Sequence, residues 1–305
     1  MTDLLRGLVI SVQSGFFTVD TGQETLVCRL RGRLKRGPRT GDIAAVGDWV
    51  QVSRQDEGQG MIEEIEPRQR VIARMDPTPR GEYQQIIIAN PEQAIFVFAV
   101  ANPEPRLGML DRFLVTAEKA GLPAFIVANK VDLVDLQEAQ RIFGHYDPLG
   151  YPVLYTSVKQ AVGLGELKDM MRGKISLLAG PSGVGKSSLL NYIQPGLGLA
   201  VREVSQATRK GRHTTVVRQL FRLEEGGYVA DTPGLKALAL WDIEPEELDG
   251  YFPELRDLVS QCQFNDCTHM HEPGCAVKEA LEAGRVHPER YRSYHRIRMG
   301  DTEAT

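Results

Sequence analysis

Two short motifs occur in this sequence in an order that few folds can accommodate. The segment Gly180-Pro-Ser-Gly-Val-Gly-Lys-Ser187 has the residue spacing of a phosphate-binding loop. The tetrapeptide Asn129-Lys-Val-Asp132 has the composition of a box that reads guanine, and it lies upstream of the loop. In ordinary guanine-nucleotide domains the loop comes first and the box follows. The reversed order therefore predicts a circularly permuted α/β domain.

Each residue type in the phosphate loop has a physical reason to be there. Gly180 and Gly185 let the backbone turn and approach phosphates without a Cβ in the way. Successive N–H groups at the start of the following helix can hold an anion. Lys186 would reach the β- and γ-phosphates, and the Ser187 hydroxyl would bind Mg²⁺. The expected phosphate-binding residues are Gly180, Pro181, Ser182, Gly183, Val184, Gly185, Lys186, Ser187 and Ser188.

The upstream box predicts which base is bound. The Asp132 carboxylate can accept hydrogen bonds from guanine N1–H and the 2-amino group, and adenine has neither donor there. Asn129 would tie this loop to neighbouring backbone, and the stem of Lys130, next to Val131, would cover one face of the base. Ser157, in a Thr-Ser-Val-Lys segment after the next strand, resembles the box that completes a base pocket. These residues predict GTP and GDP as ligands.

Two further segments resemble the switches that sense the terminal phosphate. Asp231-Thr-Pro-Gly234 follows a predicted strand, so Asp231 would face Mg²⁺ through water and the Gly234 N–H would bond the γ-phosphate. Residues 209–215, which are polar and contain glycine, form a candidate first switch. One of its two threonines should contribute a hydroxyl to Mg²⁺. We favour Thr215 over Thr214, although the sequence does not decide between them.

The residue after the second switch predicts slow hydrolysis. Ras-like enzymes use a glutamine at that position to orient the attacking water, and Leu235 cannot do so. His213 in the first switch is the nearest polar candidate for a catalytic role, and its alternative role is packing or contact with a partner. We therefore expect slow intrinsic turnover that a partner accelerates.

A cluster of cysteines near the end of the chain predicts a structural zinc site. The pattern Cys262-x4-Cys267-x-His269-x5-Cys275 supplies three thiolates and one imidazole, a closed tetrahedral set. Thiolate ligands favour zinc over Mg²⁺ or Ca²⁺. His271 is the alternative fourth ligand on residue type alone.

The beginning of the chain predicts a small β-barrel. It contains five short runs rich in β-branched or aromatic residues, separated by glycine and proline. These predicted strands are 8–12, 16–19, 25–30, 46–52 and 61–65. Five short strands in such a segment suit an OB-fold, in which Cys28 is expected to be a core residue rather than a ligand.

The central part of the chain alternates between strands and helices, which is typical of a doubly wound α/β sheet. The predicted strands are 95–100, 124–128, 153–155 and 175–179, and the predicted helices are 110–120, 136–146, 165–171 and 186–193. After about residue 240 the chain becomes helical, then cysteine-bearing and basic.

Composition and charge limit the location and the partners. No apolar run reaches the ~18 residues of a membrane span, and we see no secretory signal, so we expect a cytoplasmic protein without a membrane partner. The net charge of −4 argues against a generic nucleic-acid coat protein. Basic residues nevertheless cluster in 29–39 and 285–298, and such local clusters can attract a phosphate backbone.

Taken in order, these motifs resemble the RsgA (YjeQ-type) family of small-ribosomal-subunit biogenesis GTPases. The resemblance implies a bacterial cytoplasmic GTPase that binds the 30S subunit late in assembly, with hydrolysis stimulated by the subunit. We expect a monomer. It implies that both flanking domains contact 16S ribosomal RNA, and it favours His269 over His271 as the zinc ligand. We expect an OB-fold RNA-binding domain over 1–72, a circularly permuted GTPase domain over 73–240 and a zinc-binding domain over 241–305.

Three other functions are alternatives to a ribosome-assembly GTPase. A nucleotide-switched binding module that scarcely hydrolyses GTP is consistent with Leu235. A phosphate-loop ATPase or kinase leaves Asn129 and Asp132 without a purpose. A zinc-dependent nuclease requires an open metal position, and a set of four protein ligands argues against it.

Overall fold

A computed structural model of the chain describes residues 4–36, 41–78, 81–197, 219–231 and 243–300. The strands are β1 (Leu4–Gln13), β2 (Phe16–Asp20), β3 (Thr25–Leu30), β4 (Trp49–Arg54), β5 (Gln59–Ile65), β6 (Val71–Thr78), β7 (Gly81–Ala89), β8 (Gln93–Ala99), β9 (Ala124–Asn129), β10 (Val153–Thr156), β11 (Ile175–Ala179), β12 (Leu220–Arg222) and β13 (Tyr228–Asp231). The helices are α1 (Leu107–Lys119), α2 (Leu136–Phe143), α3 (Leu164–Met171), α4 (Lys186–Ile193), α5 (Pro253–Val259), α6 (Ala276–Glu282) and α7 (Pro288–Arg298).

These elements form two compact units, each built from three stretches of the chain. One unit takes its described residues from Met1–Gln93, Asp169–Ala179 and Arg202–Ala237. The other takes them from Ala94–Lys168, Gly180–Val201 and Leu238–Thr305. Within the described residues, no helix has both the length and the apolar character needed to span a membrane.

The first unit opens with the predicted five-stranded barrel. Its strands close in the order β1-β2-β3-β5-β4, with β3 and β5 parallel and the other neighbours antiparallel. Side chains along β3 alternate between solvent and core, so Leu26, Cys28 and Leu30 all point inward. Cys28 is completely buried, as expected of a core residue, and burial raises the pKa of its thiol to about 11.

A long antiparallel hairpin, β6–β7, follows the barrel and was not predicted from the sequence. The chain between barrel and hairpin is held by a buried ion pair, in which Arg68 Nε lies 2.7 Å from Asp48 Oδ1. Later in the same unit, β13 pairs in parallel with β11 and antiparallel with β12.

The second unit contains the parallel strands β10, β9 and β8, in that order. Every residue of β8 is buried, as its apolar sequence predicts for a strand covered on both faces. The helix predicted over 136–146 is shorter than expected. It ends at Phe143 and continues as the 3-10 helix Gly144–Leu149, because Gly144 caps the helix and Pro148 cannot supply a backbone N–H.

The C-terminal helices pack around a small core beside α1. Phe252, Tyr294 and Val277 are buried there together with Val115 of α1. Arg290 of α7 is also buried, with its Nη1 2.6 Å from Asp111 Oδ1. Arg290 was counted in the basic cluster 285–298 that can attract a phosphate backbone, but its charge is neutralised inside the protein.

Candidate functional site

The phosphate loop turns sharply between Ala179 and α4, at positions that only glycine suits. Gly180 and Gly185 have φ angles of +155° and +98°, which side chains rarely adopt. A Cβ on Gly180 would lie 2.0 Å from the Val97 carbonyl oxygen, and one on Gly185 would lie 2.4 Å from Asn129 Nδ2. The glycines therefore keep open a cradle that a side chain would fill.

The predicted cations and hydroxyls of the loop lie at the start of α4. Lys186 Nζ donates to the carbonyl oxygens of Gly180 and Pro181, at 2.8 and 2.7 Å, so the ammonium stays within the loop. Gly185 caps the helix, and Ser187 and Ser188 are half-buried in its first turn. Backbone N–H groups at a helix start favour an anion such as phosphate.

Asn129 joins the base box directly to the phosphate loop. It is the last residue of β9 and is buried, with its Nδ2 donating to the Val184 carbonyl at 2.8 Å. Its Oδ1 accepts a hydrogen bond from Thr156 Oγ1 at 2.9 Å. The box thus meets the loop although it precedes the loop in the chain. Thr156 was not singled out from the sequence, because only the pairing of β10 with β9 brings it beside Asn129.

The remaining residues of the box surround a half-exposed carboxylate. Ser157, completely buried, donates from Oγ to Asp132 Oδ1 at 2.6 Å. Lys130 adopts a left-handed conformation with φ +67°, and its Nζ donates to Gly183 O at 2.7 Å. Burial lowers the pKa of Lys130, and Asp132 partly opposes this shift. Val131 begins the short 3-10 helix that carries Asp132.

Of the predicted switch residues, the structure describes only the position of Asp231. It ends β13 and lies opposite Leu178 of β11, shortly before the phosphate loop begins. His213, Thr214, Thr215 and Gly234 lie outside the described residues.

The four predicted metal ligands converge in the C-terminal region. Their donor atoms, from Cys262, Cys267, His269 and Cys275, all lie within 4.8 Å of one another. His269 is completely buried and its Nδ1 lies 3.4 Å from Cys275 Sγ, whereas His271 is exposed and outside this group. Three soft sulfur donors and one imidazole fit a tetrahedral zinc ion.

The surroundings of this cluster also suit a metal. His269 Nε2 lies 3.2 Å from Asp249 Oδ2, and such a carboxylate fixes the ring with Nδ1 free to bind. Burial, and to a lesser extent the neighbouring thiols, raise the pKa of Cys267, and a zinc ion bound there would favour the thiolate form. Asp249 was missed in the sequence because nothing in its local pattern distinguishes it from other acidic residues.

Glu272 orders the loop that carries the ligands, and it too was missed. Its carboxylate accepts from the backbone N–H groups of Thr268, Met270 and His271 and from the Thr268 hydroxyl. Burial opposes ionisation, but these hydrogen bonds hold the pKa of Glu272 well below its usual range. The contacts depend on the tertiary path of the loop, which spacing alone does not reveal.

Comparison with known proteins shows the family of the chain. A family model described as the RsgA GTPase matches residues 65–241, and one described as the RsgA N-terminal domain matches residues 6–62. The small ribosomal subunit biogenesis GTPase RsgA of Gemmatimonas aurantiaca is 46% identical over 302 residues, which are 98% of each chain. Its namesake in Thermotoga maritima is 43% identical over 295 residues, covering 95% of this chain and 94% of that one.

Two solved structures are similar over nearly the whole length. YjeQ from Thermotoga maritima matches with a TM-score of 0.78 and 38% identity, covering 99% of both chains. YloQ, described as a circularly permuted GTPase, matches with a TM-score of 0.73 and 32% identity, covering 99% of this chain and 96% of that one. The reversed order of box and loop is thus shared with a protein of known permuted fold.

Proposed function

The chain belongs to the RsgA GTPase family and is a GTP hydrolase, and we propose that it binds the 30S ribosomal subunit and assists its late maturation, with hydrolysis stimulated by the subunit. The single observation that carries the nucleotide assignment is the 2.8 Å bond from Asn129 Nδ2 to Val184 O, which joins base box and phosphate loop. The names of the relatives support the 30S partner.

We assign the nucleotide-binding roles to the residues around that bond. The Asp132 carboxylate, held by Ser157, accepts the two donors of guanine. Asn129 fixes the box, and Lys130 and Val131 line the base. The loop residues Gly180 to Ser188 hold the phosphates, with Lys186 turning from its carbonyl partners to the β- and γ-phosphates.

Mg²⁺, when bound, would supply positive charge against the phosphates. We propose that the hydroxyls of Ser187 and of one threonine, Thr215 in preference to Thr214, would hold it, with Asp231 as an outer contact through water. The Gly234 N–H would donate a hydrogen bond to the γ-phosphate. Leu235 cannot orient the attacking water. We therefore propose that the subunit completes the catalytic site and so accelerates hydrolysis, with His213 as the candidate side chain for orienting the water.

We propose that the two flanking regions serve RNA binding and stability. The limits 1–72, 73–240 and 241–305 remain our proposal for the barrel, the GTPase domain and the zinc-binding domain. The geometry of the four ligands supports one structural Zn²⁺ in the last region. We further propose contact with 16S ribosomal RNA and a cytoplasmic location, and the ribosome assembly named for the relatives supports both. We also propose a monomeric state.

Steady-state GTP turnover titrated with purified 30S subunits tests the proposed function. Turnover should be slow alone and should rise until the subunit saturates, while 50S subunits and naked 16S RNA leave it near the basal rate. Equal stimulation by 50S would contradict the choice of partner. GTP binding without any stimulated turnover would favour the nucleotide-switched binding module instead.

A further inference from the structure

One buried carboxylate of the barrel accepts hydrogen bonds from both strands of the β12–β13 hairpin. Asp20, at the end of β2, has only 6% of its side chain exposed. Tyr228 Oη donates to Asp20 Oδ2 at 3.0 Å, and Arg222 Nη1 lies 3.3 Å from each oxygen of the same carboxylate. All three residues belong to the first compact unit.

These contacts join parts of the chain that are about two hundred residues apart. Arg222 and Tyr228 are separated from Asp20 by 202 and 208 positions. A second link lies beside them, where Ser11 of the barrel forms an antiparallel bridge with Gln219, just before β12. The barrel therefore holds the hairpin at two places, near the start of β12 and at the start of β13.

The hairpin leads directly to the nucleotide-sensing box. β13 runs from Tyr228 to Asp231, the first residue of the Asp-Thr-Pro-Gly segment. Its backbone is hydrogen-bonded in parallel to β11, with Val229 opposite Ser176 and Asp231 opposite Leu178. Tyr228 and Asp231 are the first and last residues of this four-residue strand, so the contacts at Tyr228 lie one short strand away from Asp231.

The chemistry of the contact makes it a strong anchor. A buried carboxylate without partners is costly, and Asp20 is satisfied by the Gly22 N–H at 2.7 Å together with the two hairpin side chains. Burial, followed by the bond to Asp20, raises the pKa of Tyr228 to about 12, so its hydroxyl remains a donor at neutral pH. Hydrogen bonds to a charged partner are stronger than neutral ones.

We propose that Asp20 is a positioning residue that ties the barrel to the strand ending at Asp231, so that binding of the 30S subunit at the barrel sets the position of Asp231. The inference rests on the proposed function, in which the subunit binds the barrel and stimulates hydrolysis. Asp20 acts through Tyr228 and Arg222, whose side chains contact its carboxylate. Intrinsic turnover, in which no RNA holds the barrel, does not use this link.

The double variant Tyr228→Phe with Arg222→Gln removes the Tyr228 hydroxyl and replaces the Arg222 guanidinium with a shorter, neutral amide, while leaving the Asp20 backbone turn in place. Its kcat and KM for GTP should be measured with saturating 30S and without it, alongside 30S affinity and thermal unfolding. We expect a roughly tenfold loss in subunit-stimulated kcat, within the range typical of coupling between two sites. Intrinsic kcat, KM and 30S affinity should stay within about twofold of the parent.

The matched control is Arg172→Gln. Arg172 pairs with Glu225 at the turn of the same hairpin, with Nη2 2.7 Å from Oε2, and also with Asp169 just before the turn that precedes β11, and neither partner belongs to the barrel. This variant should be stimulated like the parent. The single change Tyr228→Phe, which removes one hydroxyl, supplies a milder test if the double variant unfolds, and its stimulated kcat should fall by a smaller factor.

The possible results separate the inference from the proposed function. A stimulated kcat equal to that of the parent in a folded double variant would overturn the positioning role. A parallel loss of intrinsic turnover, 30S affinity and melting temperature would also overturn the positioning role, because that pattern indicates a purely structural contact. If the parent protein itself is not stimulated by 30S, the proposed function fails, and the inference fails with it for that separate reason.

Discussion

Gly185 is the residue at which phosphate loop and base box constrain each other most closely. Its φ of +98° and the 2.4 Å approach of a Cβ to Asn129 Nδ2 are independent reasons for glycine. The sequence could predict the first reason, because the spacing of a phosphate loop demands a turn. It could not predict the second, because Asn129 reaches the loop only through the tertiary fold.

Replacing Gly185 with alanine should therefore damage nucleotide binding more than stability. The left-handed conformation costs a non-glycine residue about 1–2 kcal/mol, and the Cβ must also displace the side chain of Asn129. We expect GDP affinity to fall at least about tenfold, measured by titration calorimetry, because one displaced contact of ~1.4 kcal/mol already gives that factor.

Gly165 is the matched control for that substitution. It lies within α3, has no positive φ, and nothing lies within 4 Å of a Cβ built on it. Alanine there should leave GDP affinity unchanged and should stabilise the helix by about 0.5–1 kcal/mol. Equal losses of affinity at both positions would show that the close contact with Asn129 is unimportant.

At the scale of an element, helix α7 shows that a sequence pattern does not predict which of its arginines are buried. Its arginines resemble a solvent-facing basic stretch, yet Arg290 is buried between Asp111 of α1 and Glu254 of α5. A buried arginine and an exposed one have the same local sequence signal, since only the partners on other helices distinguish them. The β6–β7 hairpin was missed for a similar reason, because its polar and proline-containing centre lacks a clear alternation.

The change Arg290→Met tests this buried network. It leaves two carboxylates buried without their cation, which typically costs about 3–5 kcal/mol. We expect a loss of this size in the free energy of unfolding measured in urea. The exposed Arg292, paired with Glu289 on the same helix, is the control, and its change to alanine should cost less than about 1 kcal/mol. Similar costs at both positions would contradict a structural role for the network.

The metal-binding element depends on a residue beyond its four ligands. Asp249 accepts from the His269 ring at 3.2 Å, and loss of such a partner typically weakens metal binding about 10- to 100-fold. Asp249→Ala should show this loss in a chelator competition for zinc. His271→Ala should bind zinc like the parent, since His271 lies outside the ligand group. A full loss with His271→Ala would reassign the fourth ligand.

At the scale of the whole molecule, the proposed RNA binding has to overcome a net charge of −4. The sequence predicts that a local basic cluster, 29–39, supplies the attraction, and it could not predict how Arg31 and Arg33 of that cluster are paired. Glu63 of β5 lies 2.9 Å from Arg31 Nη1 and also contacts Arg33. Both arginines are more than half exposed, so they are held at the surface by one carboxylate rather than neutralised inside the protein.

This pairing makes opposite predictions for two variants of the barrel. Replacing Arg31, Arg33 and Lys35 with alanine should lower 30S affinity and flatten its salt dependence, by roughly 0.7–0.9 in slope for each lost phosphate contact. Glu63→Gln removes the competing carboxylate, so phosphates should gain access to both arginines and 30S affinity should rise. Filter binding at several salt concentrations measures both effects. If Glu63→Gln instead weakens binding, the carboxylate is needed to orient the arginines. If the triple variant keeps the salt slope of the parent, the cluster does not contact phosphates.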